Sequence, residues 1–310
     1  MQGNENIYTP EEKPSKKKRK LRNTWPMLCI KAYLILIFGA TIGGLFIVPI
    51  RSLGSAAAMD KGFLESFNSY FIFLGIWVLL FALLLCFKGN RPMLQVFGRK
   101  ARGNNAKGLL FGLALGFAMN AFCVLVAVLH KDIHIRFEAF RPPETIALFA
   151  AILIQSSAEE FIFRGYLHQK ILQHYNSPLL AILLSTLMFS LGHASNPGVT
   201  FLSLSNIVLI GILFSLLVHY MDSLWAACAA HTAWNFTQNI LFGLPNSGHV
   251  LPFSIFKLDA ATATDSFAYS VSFGIEGTVM ASLVILLATA ALWFWGRKYA
   301  KPPMDVWAKK

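Results

Sequence analysis

The chain has 310 residues, of which 55% are hydrophobic and only 14% charged, with a mean hydropathy of +0.55; that balance is too apolar for a soluble protein of this length. The formal net charge of +12 does not point to nucleic acid, because the lysines and arginines cluster beside apolar spans instead of interleaving with aromatics on a soluble domain. The four cysteines, Cys29, Cys86, Cys123 and Cys228, lie in or at the ends of apolar spans with no CxxC pair, which favours packing residues over a disulfide or a thiolate metal site.

Residues 1–23 are polar and contain the run Lys16-Lys17-Lys18-Arg19-Lys20, so a disordered basic tail on the cytoplasmic side is expected. The first apolar span, about 32–50, is longer than the 7 to 15 apolar residues typical of a signal peptide and is read as a retained crossing, despite Ala56-Ala57-Ala58 beyond it. Further spans are expected at about 67–87, 109–130, 145–168, 178–194, 199–220, 223–242 and 278–296, making an all-α polytopic membrane protein of about eight transmembrane helices. Two pairs of glycines at four-residue spacing, Gly39 with Gly43 and Gly112 with Gly116, suit close helix approach. With these spans, 21 of the 27 lysines and arginines fall on one side, and the positive-inside rule places both termini in the cytoplasm. The expected organisation is a helical membrane domain over 24–296, an irregular extracytoplasmic loop over 243–277 and a basic tail over 297–310.

The chemistry concentrates in a few polar residues within this apolar background. Glu159, Glu160 and Arg164 fall in the 145–168 span, where an ionised side chain costs roughly 2.5 to 3.5 kcal/mol on insertion scales. On a helix, Glu160 and Arg164 are four apart and share a face, whereas Glu159 is rotated by about 100° and shares its face with Gln155. The pattern predicts that Arg164 compensates Glu160 and leaves Glu159 free to handle a proton. His193 falls near the end of the 178–194 span, and His231 and Asn235 share one face of the 223–242 span. A buried asparagine needs partners, so His231 and Asn235 are expected to point into a shared polar cavity. His130, His134, His168, His174 and His249 lie at span ends or in loops and are weaker candidates, whereas His219, near the end of the sixth span and within reach of the headgroup region, is the exception worth watching. Measured from the expected span ends at 1.5 Å per residue, Glu159 lies about 8 Å deep, His231 about 12 Å and His193 about 22 Å, a mismatch that helix tilt must absorb.

The three motifs, Glu-Glu-x-x-x-Arg, Phe-x-x-x-His and His-x-x-x-Asn, occur in that order in apolar helices within residues 145–241. They resemble those of the CAAX protease and bacteriocin-processing (CPBP, or Abi) intramembrane endopeptidases. The resemblance implies a catalytic core at about 145–242 in which Glu159 activates water, His193 helps to hold it, His231 and Asn235 stabilise the oxyanion, and Glu160 and Arg164 complete the first motif. It further implies a peptide or protein substrate in or near the bilayer, no cofactor, and a bacterial plasma membrane location. A zinc site built from Glu159, His193 and His231 is the mechanistic rival. A transporter using the same groups as a proton or substrate relay, and a non-catalytic immunity or scaffold protein, are the functional alternatives.

Overall fold

The computed structural model describes residues 20–308; most of the expected N-terminal tail and the final two lysines lie outside the described residues. The described chain is an assembly of helices: α1 (Trp25–Ala56), α2 (Lys61–Phe71), α3 (Leu74–Cys86), the short α4 (Leu94–Phe97), α5 (Ala106–Leu129), α6 (Pro142–Glu160), α7 (His168–Tyr175), α8 (Pro178–Leu191), α9 (Phe201–Met221), α10 (Leu224–Asn235) and α11 (Val279–Tyr299). With 71% helix and almost no sheet it is an all-α protein. Six helical stretches are long and apolar enough to cross a membrane, among them α1, the α2–α3 pair and the 34-residue run Pro142–Tyr175, while Pro178–Leu191 is a shorter apolar helix.

Several boundaries differ from the sequence expectation for local reasons. The span expected at 145–168 runs on to Tyr175, because a π-helical segment, Phe161–Leu167, carries the backbone from α6 into α7 without a break. Asn176 in the left-handed conformation then stops it, and Ser177 caps α8, its side chain accepting from Leu180 N, with Pro178 at the first helical position. The irregular loop expected over 243–277 contains a short strand, β2 (Phe256–Leu258), paired antiparallel with β1 (Ile135–Phe137), with Arg136 opposite Lys257. Periodicity over three residues is too short a signal to announce such a pairing.

Both glycine pairs sit at helix crossings. A Cβ at Gly39 would lie 2.6 Å from the Cα of Ile76, and one at Gly43 would strike the backbone of Ile72, so α1 packs backbone to backbone on the α2–α3 pair. A Cβ at Gly112 would meet Ala226 O, and one at Gly116 would meet Ala230 O, which seats α5 directly on α10 one residue before His231. The start of α10 is fixed separately. Asn104 donates to Val96 O and Gly98 O at 2.7 and 2.9 Å and accepts from Trp225 N at 3.0 Å, while Trp225 Nε1 donates to Phe97 O at 2.9 Å. The segment between α3 and α5 thus holds α10 in place.

Candidate active site

The first motif lies at the C-terminal end of α6, where Ala158, Glu160 and the following Ile162 and Arg164 are wholly buried and Glu159 is nearly so. Because consecutive helical residues are rotated by about 100°, the two glutamates point differently. Glu160 Oε1 accepts from Arg164 Nη1 at 3.0 Å, with both side chains fully buried. Arg164 also donates through Nη2 to Gly211 O at 2.9 Å and lies over the Phe189 ring at 4.6 Å. One guanidinium therefore ties the end of α6 to α8 and α9. A Cβ at Gly211 would come within 3.1 Å of Nη2, so glycine at that position leaves room for the guanidinium.

His231, from α10, bridges the two glutamates. Its Nδ1 is 3.0 Å from Glu160 Oε1, and its Nε2 faces Glu159 Oε2 at 3.7 Å, too long for a direct hydrogen bond. Phe214 stacks against the imidazole with ring centroids 5.3 Å apart and Phe189 meets it edge-on at 5.8 Å, so the ring plane is clamped by α8 and α9. Asn235, one turn on, donates to Gln155 Oε1 at 3.1 Å and accepts from Asn246 Nδ2 at 3.2 Å. Its second amide hydrogen is matched only by Ser156 Oγ at 3.4 Å. Glu159 Oε2 and Glu160 Oε2 are buried with no hydrogen-bond partner. Two buried acceptors left open beside a histidine are a costly arrangement for structure alone.

His193 lies in the turn after α8 and not within the helix as expected, since α8 ends at Leu191 and the chain continues in turns through Gly192, Ser195 and Pro197. Its Nδ1 is 3.0 Å from Phe189 O. A carbonyl only accepts, so Nδ1 carries the proton and Nε2 of the neutral ring is an acceptor. The longer helix also removes the depth mismatch between Glu159 and His193. The α7–α8 turn makes an antiparallel hairpin in which Glu159 precedes Tyr175 by 16 residues and α8 runs 13 residues from Pro178 to Leu191, two before His193, or about 24 Å and about 20 Å of helix.

Glu159, His193, His231 and Asn235 all line one cavity of about 550 Å³. Glu160 and Arg164 lie behind it and do not line it. The cavity has a polar part, where the loop after α10 brings Asn246, Ser247, His249 and Glu276, and an apolar part bounded by Leu36, Phe73, Ile207, Ile210 and Ile285. Glu276 is held by Trp234 Nε1 at 3.0 Å, Ser247 N at 2.6 Å and Ser247 Oγ at 2.7 Å, which ties two parts of the loop to α10 in the cavity wall. His249, ranked low from its loop position, and Glu276, not singled out, are thus part of the wall. The only sequence signal for Glu276 is a carboxylate in an otherwise weakly charged loop close to an apolar span. The remaining low-ranked histidines, His130, His134, His168 and His174, do not line this cavity, and neither does His219. Among the described residues no three histidine, cysteine, aspartate or glutamate side chains are grouped closely enough to hold a metal ion.

One π-helical segment, Phe161–Leu167, follows the paired glutamates and carries Arg164, and another, Phe236–Leu241, follows Asn235. Such segments are rare and concentrate at functional sites, where the extra residue per turn redirects side chains. A family model described as Rce1-like, type II CAAX prenyl endopeptidase, matches residues 141–237. That interval begins at the residue before α6 and ends two residues after Asn235. No curated protein and no solved structure matches the chain.

Proposed function

Starting from a membrane chain whose residues 141–237 match a family model described as Rce1-like type II CAAX prenyl endopeptidase, we propose that it belongs to that family and is a glutamate-dependent intramembrane endopeptidase with Glu159 as general base. The observation that carries this reading is the sequence of contacts from Arg164 through Glu160 to His231 and on to Glu159, a cavity-lining residue whose buried Oε2 has no hydrogen-bond partner. Arg164 and Glu160 position His231, and they do not touch the substrate.

In this mechanism Glu159 takes a proton from a water held between it and Nε2 of His193, and the water oxygen attacks the scissile carbonyl carbon. The developing oxyanion accepts from His231 Nε2–H and from the weakly engaged amide hydrogen of Asn235. Collapse of the tetrahedral intermediate breaks the C–N bond, and Glu159 returns its proton to the leaving amine. The step consumes one water and needs no further reactant.

The apolar part of the cavity, between α1, α9 and α11, suits the lipid-embedded portion of a membrane-associated substrate, a prenylated C-terminus included. We place both termini in the cytoplasm, following the distribution of the lysines and arginines, and the protein in a bacterial plasma membrane by its resemblance to the family. The test presents purified protein in liposomes with a peptide library, prenylated and unprenylated, and reads products by mass spectrometry. Wild type should cleave with or without chelator, whereas Glu159→Gln and His231→Ala should not. Cleavage that survives both substitutions would overturn the assignment, as would chelator-sensitive cleavage.

A further inference from the structure

A second cavity, of about 850 Å³, lies between the first turns of α1, the last turns of α3 and the helix that continues from the glutamate motif. Its wall carries four cations, Arg22, Lys31, Lys88 and Lys170, and no aspartate or glutamate. Among the described residues none of the four forms an ion pair with a carboxylate. Lys170 is only 8% exposed; its Nζ donates to Gln173 Oε1 at 2.9 Å and lies 5.0 Å from the centre of the Trp307 ring. Lys31 donates to Arg22 O at 2.7 Å, which holds a second ammonium in the same wall. A buried ammonium without a counter-ion is expensive, and several facing one space repel each other, so the cavity suits an anion.

The rest of the wall is hydrocarbon, from Leu34 and Phe38 on α1 and Leu79 and Leu83 on α3. Both helical stretches are long and apolar enough to cross the membrane, and Leu34 and Phe38 are 43% and 57% exposed, so this half of the cavity opens on the outward apolar surface of those helices. A cationic end joined to an apolar slot at the end of membrane helices has the chemistry of a lipid headgroup site. We propose that this cavity binds an anionic phospholipid, its phosphate seated among Lys31, Lys88 and Lys170 and its chains along α1 and α3. The chain's own residues 1–19 are a poor occupant, since they hold five lysines and arginines against three glutamates. Tyr166 and Lys170 line this cavity while Glu159 and Phe163, on the same continuous helix, line the other. The lipid would thus bear on the helix that carries the candidate base.

The proposal is independent of the protease assignment and is tested on the full-length protein by native mass spectrometry. Delipidated protein is offered phosphatidylglycerol, phosphatidylcholine with the same chains, or inorganic phosphate. Wild type should retain phosphatidylglycerol at least about tenfold more tightly than phosphatidylcholine. The Lys31→Gln/Lys170→Gln double variant should lose about 25-fold, roughly fivefold per cation, and Lys31→Arg/Lys170→Arg should restore binding. If the glutamine pair does not fold, Lys88→Gln alone should still weaken binding about fivefold. Equal retention of the two lipids would overturn the proposal, as would unchanged binding in the glutamine variants or displacement of the lipid by inorganic phosphate. A gain in lipid affinity on deleting residues 1–19 would assign the cavity to that segment instead.

Discussion

Glu159 and Glu160 are chemically identical neighbours, and their different surroundings divide the work between them. Glu160 is committed through Oε1 to Arg164 and to His231, each at 3.0 Å, and does not line the cavity. Each glutamate leaves its Oε2 without a hydrogen-bond partner, but only Glu159 lines the cavity. Replacing Arg164 with methionine keeps the volume but leaves the Glu160 carboxylate without its cation, and breaking a buried pair in this way costs about 3 to 5 kcal/mol. Thermal unfolding in detergent should therefore show a large loss of stability for Arg164→Met. In contrast, Glu159→Gln should unfold within a degree or two of wild type while losing at least about 100-fold in kcat, the scale of a missing general base. Asn235→Ala should also lose about 100-fold or more in kcat if its amide donates to the oxyanion. The sequence spacing already implied the Glu160–Arg164 pairing. It did not imply that His231 would contact both glutamates, because that relation joins side chains 71 and 72 positions apart in the chain.

At the scale of elements, two devices place these residues. The α5–α10 crossing is close because Gly112 and Gly116 have no side chain to hold the helices apart. Gly116→Val should push α10 away at Ala230, cost about 1 to 3 kcal/mol by overpacking, and lower cleavage by displacing His231. Gly44→Val, where a Cβ would meet nothing within 4 Å, is the matched control and should change neither unfolding temperature nor activity. The second device is the π segment that prolongs α6 into α7. Hydrophobic periodicity cannot register one extra residue in a turn, so the sequence placed the end of this helix at 168, seven residues early, and the depths of Glu159 and His193 appeared mismatched. The glycine pairs were legible because small residues at four-residue spacing have a direct geometric meaning. The β1–β2 pairing and the end of α8 before His193 were not, since both depend on contacts distant in the chain or on turns without a periodic signature.

For the whole molecule, the apolar composition fixes the setting and the helices supply the frame. The membrane domain brings three motif-bearing segments around one cavity, and the loop from Phe242 to Thr278 covers the polar side through Glu276 and Asn246. If the excess of lysine and arginine sets direction, a single cysteine at position 88 should react with a membrane-impermeant thiol reagent from the cytoplasmic side. One at position 257 should react from the opposite side. These positions are exposed and lie on segments beyond the ends of apolar helices. Labelling of both from one face would contradict the expected orientation.

The most direct test of the account is cleavage in water enriched in ¹⁸O by purified wild-type protein and Glu159→Gln, reconstituted in the same liposomes and followed through one turnover. The account predicts that wild type places one ¹⁸O in the new carboxyl group at each cleavage, with no covalent acyl-enzyme, and that Glu159→Gln yields no product while retaining wild-type folding. Product formation by Glu159→Gln at the wild-type rate, or an acyl group trapped on another side chain, would contradict it.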